Sequence, residues 1–240
     1  MATLVDTMLT LAVLALAGAL QGTPAEAVET RARERITIGR SVRGRRLSVV
    51  RLGPRDARRR VLVVGCIHGD EDAGRAVARV LETGPLPRDT ELWVLRDMNP
   101  DGLAAGTRQN ARGVDLNRNF GRGWRRLPRG RHHSGRGPLS EPESRAVRRL
   151  IMRVRPDLTL WFHQPFGIVA RSGADPAVER RVARALGLPL RTLYRPPGSA
   201  STWQNRAYPR SDSVVVELGP GGLNRREAAR LAAGVRRLAP

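Results

Sequence analysis

The chain has 240 residues, of which 40% are apolar, so it is long enough for one domain with a hydrophobic core, and its composition excludes wholesale disorder. All 43 basic residues are arginine against 22 acidic residues, and the resulting net charge of +21 should attract polyanions such as cell-wall polymers, anionic lipid or nucleic acid. Aromatic residues make up only 4% and do not interleave with a basic stripe, which argues against a dedicated binder of single-stranded nucleic acid.

The N-terminal segment has features of a secretory signal. Residues 8–20 are apolar but too few for a comfortable membrane span, and an Ala-Glu-Ala sequence ending at residue 27 fits a small-x-small cleavage site. We therefore expect a signal peptide over 1–27, a single domain over 28–240 and a secreted or cell-envelope protein with no membrane span after processing. Asp6 and the lack of arginine before the apolar stretch are unusual for a signal. The alternatives are an uncleaved anchor, a misassigned start or an ordinary first helix, and the protein would be cytoplasmic if the segment is not a functional signal.

Strands and helices alternate along the rest of the chain. Residues 61–67 form a continuous apolar run typical of a strand buried on both faces, and residues 72–81 carry apolar residues at helical spacing. No element is predicted for residues 28–45. In chain order, the patterns predict a strand over 47–52, a strand over 61–67, a helix over 72–81, a strand over 91–96, a helix from about 140 to 154, a strand over 158–162, a helix over 176–186, a strand over 214–218 and a helix over 225–238. This alternation favours an α/β fold whose helices cover both faces of a sheet.

Residues 98–140 form a long stretch that is rich in glycine, asparagine, arginine and proline. No regular structure is predicted there. Because a segment of this length without helices or strands is normally either functional or disordered, it is a candidate for part of a binding site.

Histidine and glutamate residues lie at the ends of three predicted strands. His68 follows the second strand, His163 comes directly after the fourth, and Glu217 lies near the end of the fifth. Ligand sites of α/β sheets collect where strands end and loops begin, so these side chains are candidates for one site. The only cysteine, Cys66, excludes an intrachain disulfide, and its apolar surroundings predict a buried, inert thiol.

The sequence His68-Gly69-Asp70-Glu71 places an imidazole and a carboxylate three residues apart, directly after a buried strand. Two ligands close in sequence and a third from a distant histidine are the layout of a catalytic zinc site that keeps one position open for water. On its own the His-x-x-Glu pair is a weak signal. The alternative is a polar turn that caps the following helix.

Further ordered motifs resemble the zinc carboxypeptidases of the carboxypeptidase A type, and more specifically their short bacterial members, among them the murein peptide amidases. The likeness spans roughly residues 36–235. The motifs are Gly-Arg-Ser-Val-Arg-Gly-Arg at 39–45, His-Gly-Asp-Glu at 68–71, Asn-Pro-Asp-Gly at 99–102, Arg-Gln-Asn at 108–110, Gly-Val-Asp-Leu-Asn-Arg-Asn-Phe at 113–120, the segment 134–143, Phe-His at 162–163 and Val-Val-Glu-Leu at 215–218. Such a resemblance implies one α/β domain with a mixed, mostly parallel central sheet and helices on both faces.

The resemblance also implies a metal centre with one Zn²⁺ per chain. His68, Glu71 and His163 match the zinc ligands of the family, and Glu217 matches its general base, which takes a proton from water and passes it to the leaving amine. Asp115 matches a residue that hydrogen-bonds the first zinc histidine.

Three more residues match positions that contact the substrate in the family. Arg108 matches the arginine that stabilises the developing oxyanion, although Arg112 is a nearby competitor for that role. Asn117 and Arg118 match the pair that binds the terminal carboxylate, for which a planar guanidinium offers a two-point fork.

The implied activity is that of a zinc metallocarboxypeptidase, which hydrolyses an amide bond next to a free carboxylate. Peptidoglycan stem peptides are the favoured substrate. A general secreted peptide carboxypeptidase is the runner-up, and a related desuccinylase or aspartoacylase is less consistent with the 115–119 motif. A non-catalytic relative that binds cell wall or another polyanion is the alternative from a different class. The expected partners are a peptide or peptidoglycan-derived substrate and, through charge, anionic cell wall, with no specific nucleic acid.

Some positions depart from the family pattern or have no secure match. Asp70 stands where digestive members usually have arginine, which fits a bacterial subgroup better. Tyr194 and Tyr208 both compete for the role of the substrate-capping tyrosine. His132 and His133 lie in an arginine-rich loop and are interpreted as exposed loop residues, with substrate contact as the lesser alternative.

Overall fold

An eight-stranded mixed sheet forms the centre of the protein. The computed structural model describes residues 33–239, so the signal peptide predicted over 1–27 lies outside the described residues. The strands are β1 (Arg33–Arg40), β2 (Arg46–Leu52), β3 (Arg59–Val64), β4 (Thr90–Leu95), β5 (Leu158–His163), β6 (Ile168–Ala170), β7 (Leu190–Arg191) and β8 (Asp212–Glu217). Their order across the sheet is β1-β2-β4-β3-β5-β8-β6-β7, and four of the seven pairings are parallel.

Helices cover both faces of this sheet. They are α1 (Gly74–Thr83), α2 (Pro100–Ala105), a short 3-10 helix (Leu116–Arg118), α3 (Pro142–Val154), α4 (Pro176–Leu186), α5 (Ala200–Ala207) and α6 (Arg225–Leu238). Helices α1, α4 and α6 contribute to the apolar core on one face, and α3 and α5 contribute to the core on the other. Across residues 33–239, every helix is too short or too polar to span a bilayer.

Strand β3 shows why this part of the sequence lies at the centre of the sheet. Its side chains alternate between the two cores, with Val61 and Val63 on one face and Leu62 and Val64 on the other, and all four are fully buried. A strand segment with four consecutive apolar residues, such as 61–64, is fully buried only when both faces of the sheet are covered. The predicted single α/β domain with a mixed, mostly parallel sheet and helices on both faces is therefore confirmed.

Several elements differ from the prediction. The strand predicted over 61–67 ends at Val64, because residues 65–67 turn out of the sheet toward the site, where Met98 N donates to Cys66 O. Strand β1 was missed, since its partly buried residues alternate with exposed Arg33, Arg35 and Thr37 on an edge strand. Helix α2 lies inside the 98–140 stretch for which no regular structure was predicted, and β6, β7 and α5 were also missed.

The carboxyl ends of the parallel strands β3, β5 and β8 lie side by side and carry the candidate site residues. The turn that follows β3 packs tightly against α2, since a Cβ atom on Gly69 would lie 2.0 Å from the backbone carbon of Gly102. Only glycine allows this approach, and the approach fixes the turn that carries His68 and Glu71.

Candidate active site

Three side chains converge at the carboxyl end of the sheet. His68 and Glu71 come from the turn after β3, His163 is the last residue of β5, and one ligand atom from each lies within 4.8 Å of the others. The Nδ1 atoms of His68 and His163 both lie 2.9 Å from Oε2 of Glu71. Both histidines are almost fully buried. The structure therefore brings together the three residues that the sequence predicts as metal ligands.

The chemistry of this cluster fits a zinc ion. The Nδ1 atom of His68 is buried and has no hydrogen-bond partner among the described residues, although Glu71 lies close to it. Such an atom is costly unless something binds it. Two imidazole nitrogens and one carboxylate oxygen that point at a common position are a donor set typical of catalytic zinc, and they leave a further position open.

Asp115 orients the first histidine. Its Oδ1 lies 3.0 Å from Nε2 of His68, so a proton on Nε2 bonds this carboxylate and Nδ1 is the ligand atom. The same oxygen accepts a hydrogen bond from the backbone N–H of Asn117 at 2.9 Å, at the start of the 3-10 helix. Asp115 is fully buried, and the sequence-based expectation that it contacts His68 agrees with this geometry.

The protonation of the cluster follows from burial and from the opposite charges around it. Burial opposes ionisation of Glu71, but contacts with His163 and His68 outweigh it and lower the pKa of this carboxyl. Burial also opposes ionisation of Asp115, whose pKa is lowered by His68 and Arg108. Burial lowers the pKa of His163. For His68, the two neighbouring carboxylates outweigh burial and raise the pKa, so metal binding would displace a proton there.

Arg108 joins the metal cluster to Asp115. Its Nη1 donates to Oε1 of Glu71 at 2.7 Å and its Nε donates to Oδ2 of Asp115 at 2.9 Å. Its Nη2 makes no hydrogen bond within residues 33–239. The competing residue Arg112 is exposed and lies 3.6 Å from Glu141, so the structure places Arg108 and not Arg112 at the centre.

Glu217 ends strand β8 beside the metal cluster. It pairs in register with His163, and its Oε2 atom is buried without a hydrogen-bond partner in the described part of the chain. Burial, with the charge of Glu71 adding to it, raises the pKa of Glu217 to about 8 in the metal-free chain. A carboxyl group with a raised pKa in a cleft is suited to proton transfer, and a bound cation would favour its ionised form.

Asn117 and Arg118 lie on the same cleft as Glu217, which has a volume of about 410 Å³. Arg118 Nη1 donates to the backbone oxygen of Asn117 at 2.9 Å, and its side chain is 12% exposed. The amide of Asn117 accepts from Ala200 N at 3.0 Å and lies 3.4 Å from His163. The proposed carboxylate-binding pair is therefore held in place next to the metal cluster.

Sequence comparisons identify the protein family. A sequence model of the zinc carboxypeptidase family matches residues 26–167. Murein peptide amidase A of Escherichia coli strain K12 is 32% identical over 168 residues, which cover 62% of this chain and 68% of that protein. This chain belongs to the zinc carboxypeptidase family. The Vibrio campbellii murein peptide amidase A is 33% identical over 184 residues, which cover 67% of this chain and 70% of the relative.

Solved structures support the same assignment. The crystal structure of the murein-tripeptide amidase from Escherichia coli O157 has a TM-score of 0.69 at 27% identity, and the match covers 86% of this chain and 92% of that one. Carboxypeptidase A from Helicoverpa armigera has a TM-score of 0.73 at 20% identity, covering 88% and 68%, and shows the shared fold alone. The protein is thus an enzyme of the zinc metallopeptidase class.

Two histidines and two tyrosines whose roles the sequence left open are now placed. His132 is exposed, as predicted, but its Nδ1 also lies 3.3 Å from Asp115 on the rim of the cleft. His133 is half-buried rather than exposed, because its ring lies 3.1 Å from the backbone oxygen of Leu127. Tyr194 is 83% exposed and lines the cleft. Tyr208 instead packs edge-to-face on the core residue Trp203, outside the lining of the cleft.

Sequence reasoning missed Gln164, which joins three segments around the site of this carboxypeptidase-family enzyme. Its Oε1 accepts from the backbone N–H of Ala73, and its Nε2 donates to the backbone oxygens of Gly219 and Gly221 in the loop after β8. Its position directly after His163 was the available signal. The predicted buried thiol of Cys66 is confirmed: it donates to the backbone oxygen of His68, and burial raises its pKa.

Proposed function

We propose that this enzyme hydrolyses an amide bond next to a free carboxylate in peptides derived from peptidoglycan, and that it works in the cell envelope. The observation that carries the proposal is the cleft that contains the His68, Glu71 and His163 cluster together with Glu217 and Arg118. The names of the murein peptide amidase relatives support the substrate class, and the net charge of +21 supports association with an anionic wall.

The metal cluster and Glu217 would carry out the proton chemistry. His68 and His163, through Nδ1, and Glu71 would hold one zinc ion, which supplies a polarised carbonyl and a water of lowered pKa. Glu217 accepts a proton from the attacking water and delivers it to the amine that leaves, so its carboxylate is regenerated after each turnover. Its buried position beside His163 supports this role.

Two arginines would bind the two negatively charged groups of the reacting substrate, which are the oxygen of the scissile carbonyl and the terminal carboxylate. Nη2 of Arg108 has no partner within residues 33–239, and it would stabilise negative charge that develops on the scissile carbonyl oxygen. Arg118, with the amide of Asn117, would bind the terminal carboxylate through a charge-assisted hydrogen bond. Binding of that carboxylate fixes which amide bond reaches the metal, so the enzyme releases a terminal residue.

Digestion of matched peptides tests the proposed function. The zinc-loaded protein is incubated with a peptidoglycan stem peptide and with an ordinary peptide that ends in the same residue, and the products are identified by mass. We expect release of the terminal residue from both and a kcat/KM at least about tenfold higher for the stem peptide, since extra contacts along the cognate substrate lower the barrier.

The same protein treated with a chelator is the control and should be inactive until zinc is restored. Equal rates on both peptides would replace the peptidoglycan assignment with a general peptide carboxypeptidase. No release of a terminal residue from any peptide by the zinc-loaded protein would contradict the proposed function altogether.

A further inference from the structure

The side chain of Gln164 connects two segments of the active site. Its Oε1 accepts a hydrogen bond from the backbone N–H of Ala73 at 2.9 Å, where the metal-binding turn leads into α1. Its Nε2 donates to the backbone oxygen of Gly219 at 2.9 Å and to that of Gly221 at 2.8 Å, in the loop after β8. One amide group therefore joins the turn that carries two of the metal ligands to the loop that follows the proposed base.

The loop after β8 has few other attachments. Residues 219–222 are Gly-Pro-Gly-Gly, and the last three of them are exposed. A Cβ atom added to any of the three glycines would have no heavy atom within 4 Å, so no other segment packs on the loop at these positions. Across residues 33–239, the carbonyl oxygens of Gly219 and Gly221 accept hydrogen bonds only from Gln164. Because glycine restricts its own backbone least, the conformation of this loop depends on that side chain.

The carboxylate of Glu217 has no hydrogen bond that would fix its position. Its Oε2 is buried without a partner, and the side chain forms no hydrogen bond or ion pair in the described part of the chain. Its position is therefore set by the backbone on either side. Before the loop, Glu217 pairs in register with His163, and the next residue donates from its backbone N–H to His163 O at 2.7 Å. Beyond that bond, the backbone is held by the amide of Gln164.

We propose that Gln164 is a positioning residue for Glu217. It holds the loop after β8 against the metal-binding turn and so fixes the distance between the base and the metal ligands, while taking no part in the proton transfer. The inference rests on the proposed function, because it takes Glu217 to be the base. Catalytic groups have to be held within about 0.5 Å of their productive position, and a displacement of about 1 Å costs on the order of a hundredfold in rate.

The substitution Gln164→Met tests this role, since methionine has a similar length but forms none of the three hydrogen bonds. We expect kcat on a stem peptide to fall by about 10–100-fold while KM changes by less than about threefold, because the base is displaced and the carboxylate-binding residues are not. The backbone N–H of Gln164, which lies 3.3 Å from Oε2 of Glu71, is unchanged, so the protein should still bind about one zinc ion per chain. Loss of zinc would assign the residue to the metal centre instead and overturn the inference.

The matched control is Asn224→Ala, at the other end of the same loop. Oδ1 of Asn224 accepts from the backbone N–H of Glu227 at 3.0 Å and caps α6, so its removal should lower the Tm. This cap does not involve the metal-binding turn, and kcat should stay within about twofold of that of the unmodified enzyme. An equal fall in kcat for Asn224→Ala and Gln164→Met would mean that any weakening of the loop slows the reaction, which would contradict a specific role for Gln164.

A double-mutant cycle shows whether Gln164 acts through Glu217. The rate constant kcat is measured for the unmodified enzyme, for Gln164→Met, for Glu217→Gln and for the double variant. If Gln164 positions the base, its substitution should change the residual kcat of the Glu217→Gln enzyme by less than about twofold. A structural defect that is unrelated to the base would lower kcat by the same factor in both backgrounds, and that result would overturn the inference.

Hydrogen exchange follows the loop without any catalysis. In the metal-free protein, the amides of residues 218–224 should exchange faster in Gln164→Met than in the unmodified chain, while those of β5 and β8 keep their protection. Unchanged exchange in the loop would contradict the inference. Full activity of the Glu217→Gln enzyme would contradict the proposed base and this inference with it, whereas loss of activity in that variant together with an unchanged kcat in Gln164→Met would overturn the positioning role alone.

Discussion

The substitution Glu217→Gln should lower kcat by about 10²–10⁴-fold while the protein still binds about one zinc ion per chain. Glutamine keeps the shape of the side chain but cannot accept the proton of the attacking water. The residue ends β8 beside His163 and is not one of the three clustered ligands, so metal binding should survive. Steady-state kinetics on a stem peptide and elemental analysis of the same sample measure both quantities.

The matched control for this substitution is Glu82→Gln. Glu82 is also a buried carboxyl whose pKa is raised by burial, but it lies on α1 and forms ion pairs with Arg35 and Arg96, away from the cleft. Its kcat should stay close to that of the unmodified enzyme. If the Glu217→Gln enzyme retained full activity with normal zinc content, Glu217 could not be the base.

The substitution His163→Ala should abolish tight zinc binding, whereas His132→Ala and His133→Ala should each retain about one zinc ion per chain. His163 provides one of three clustered ligand atoms, and its loss leaves only His68 and Glu71. His132 touches Asp115 rather than the cluster, and His133 contacts a backbone oxygen in its own loop. The readout is zinc content by elemental analysis after dialysis.

Thermal unfolding gives a second readout for the same three variants. Because zinc binds the folded chain, added zinc should raise the Tm of the unmodified protein and of His132→Ala and His133→Ala. It should leave the Tm of His163→Ala almost unchanged. Equal zinc loss from all three variants would contradict the assignment of His163 as a zinc ligand.

The sheet could be predicted wherever the sequence is apolar over a whole strand. Residues 61–64 are apolar throughout, residues 158–162 are apolar except for Thr159, and both segments are buried on both faces of the sheet, so their patterns predicted strands. Strand β1 was not predicted, because an edge strand tolerates exposed arginine at alternate positions and its pattern is therefore not apolar. Strands β6 and β7, with three and two residues, are too short for any periodicity to appear, since they are formed by pairing with β8 and with each other.

The metal cluster was predictable for a different reason. His68 and His163 lie close to strand ends that meet at one edge of the sheet, which made them candidates for one site, and the resemblance to the zinc carboxypeptidases implied that they bind zinc together with Glu71. The positions of Arg171 and Arg195 on the cleft were not predictable, because in sequence they look like any of the 43 arginines. Which arginines line the cleft depends on tertiary packing, and no local sequence pattern indicates it.

The most direct test of the metal centre is diffraction from a zinc-loaded crystal on both sides of the zinc absorption edge. We expect one strong anomalous peak per chain, at about 2.0–2.2 Å from Nδ1 of His68, Nδ1 of His163 and a carboxylate oxygen of Glu71. A peak held by His132 or His133 instead, or none between these three side chains, would contradict the metal centre on which the proposed hydrolysis depends.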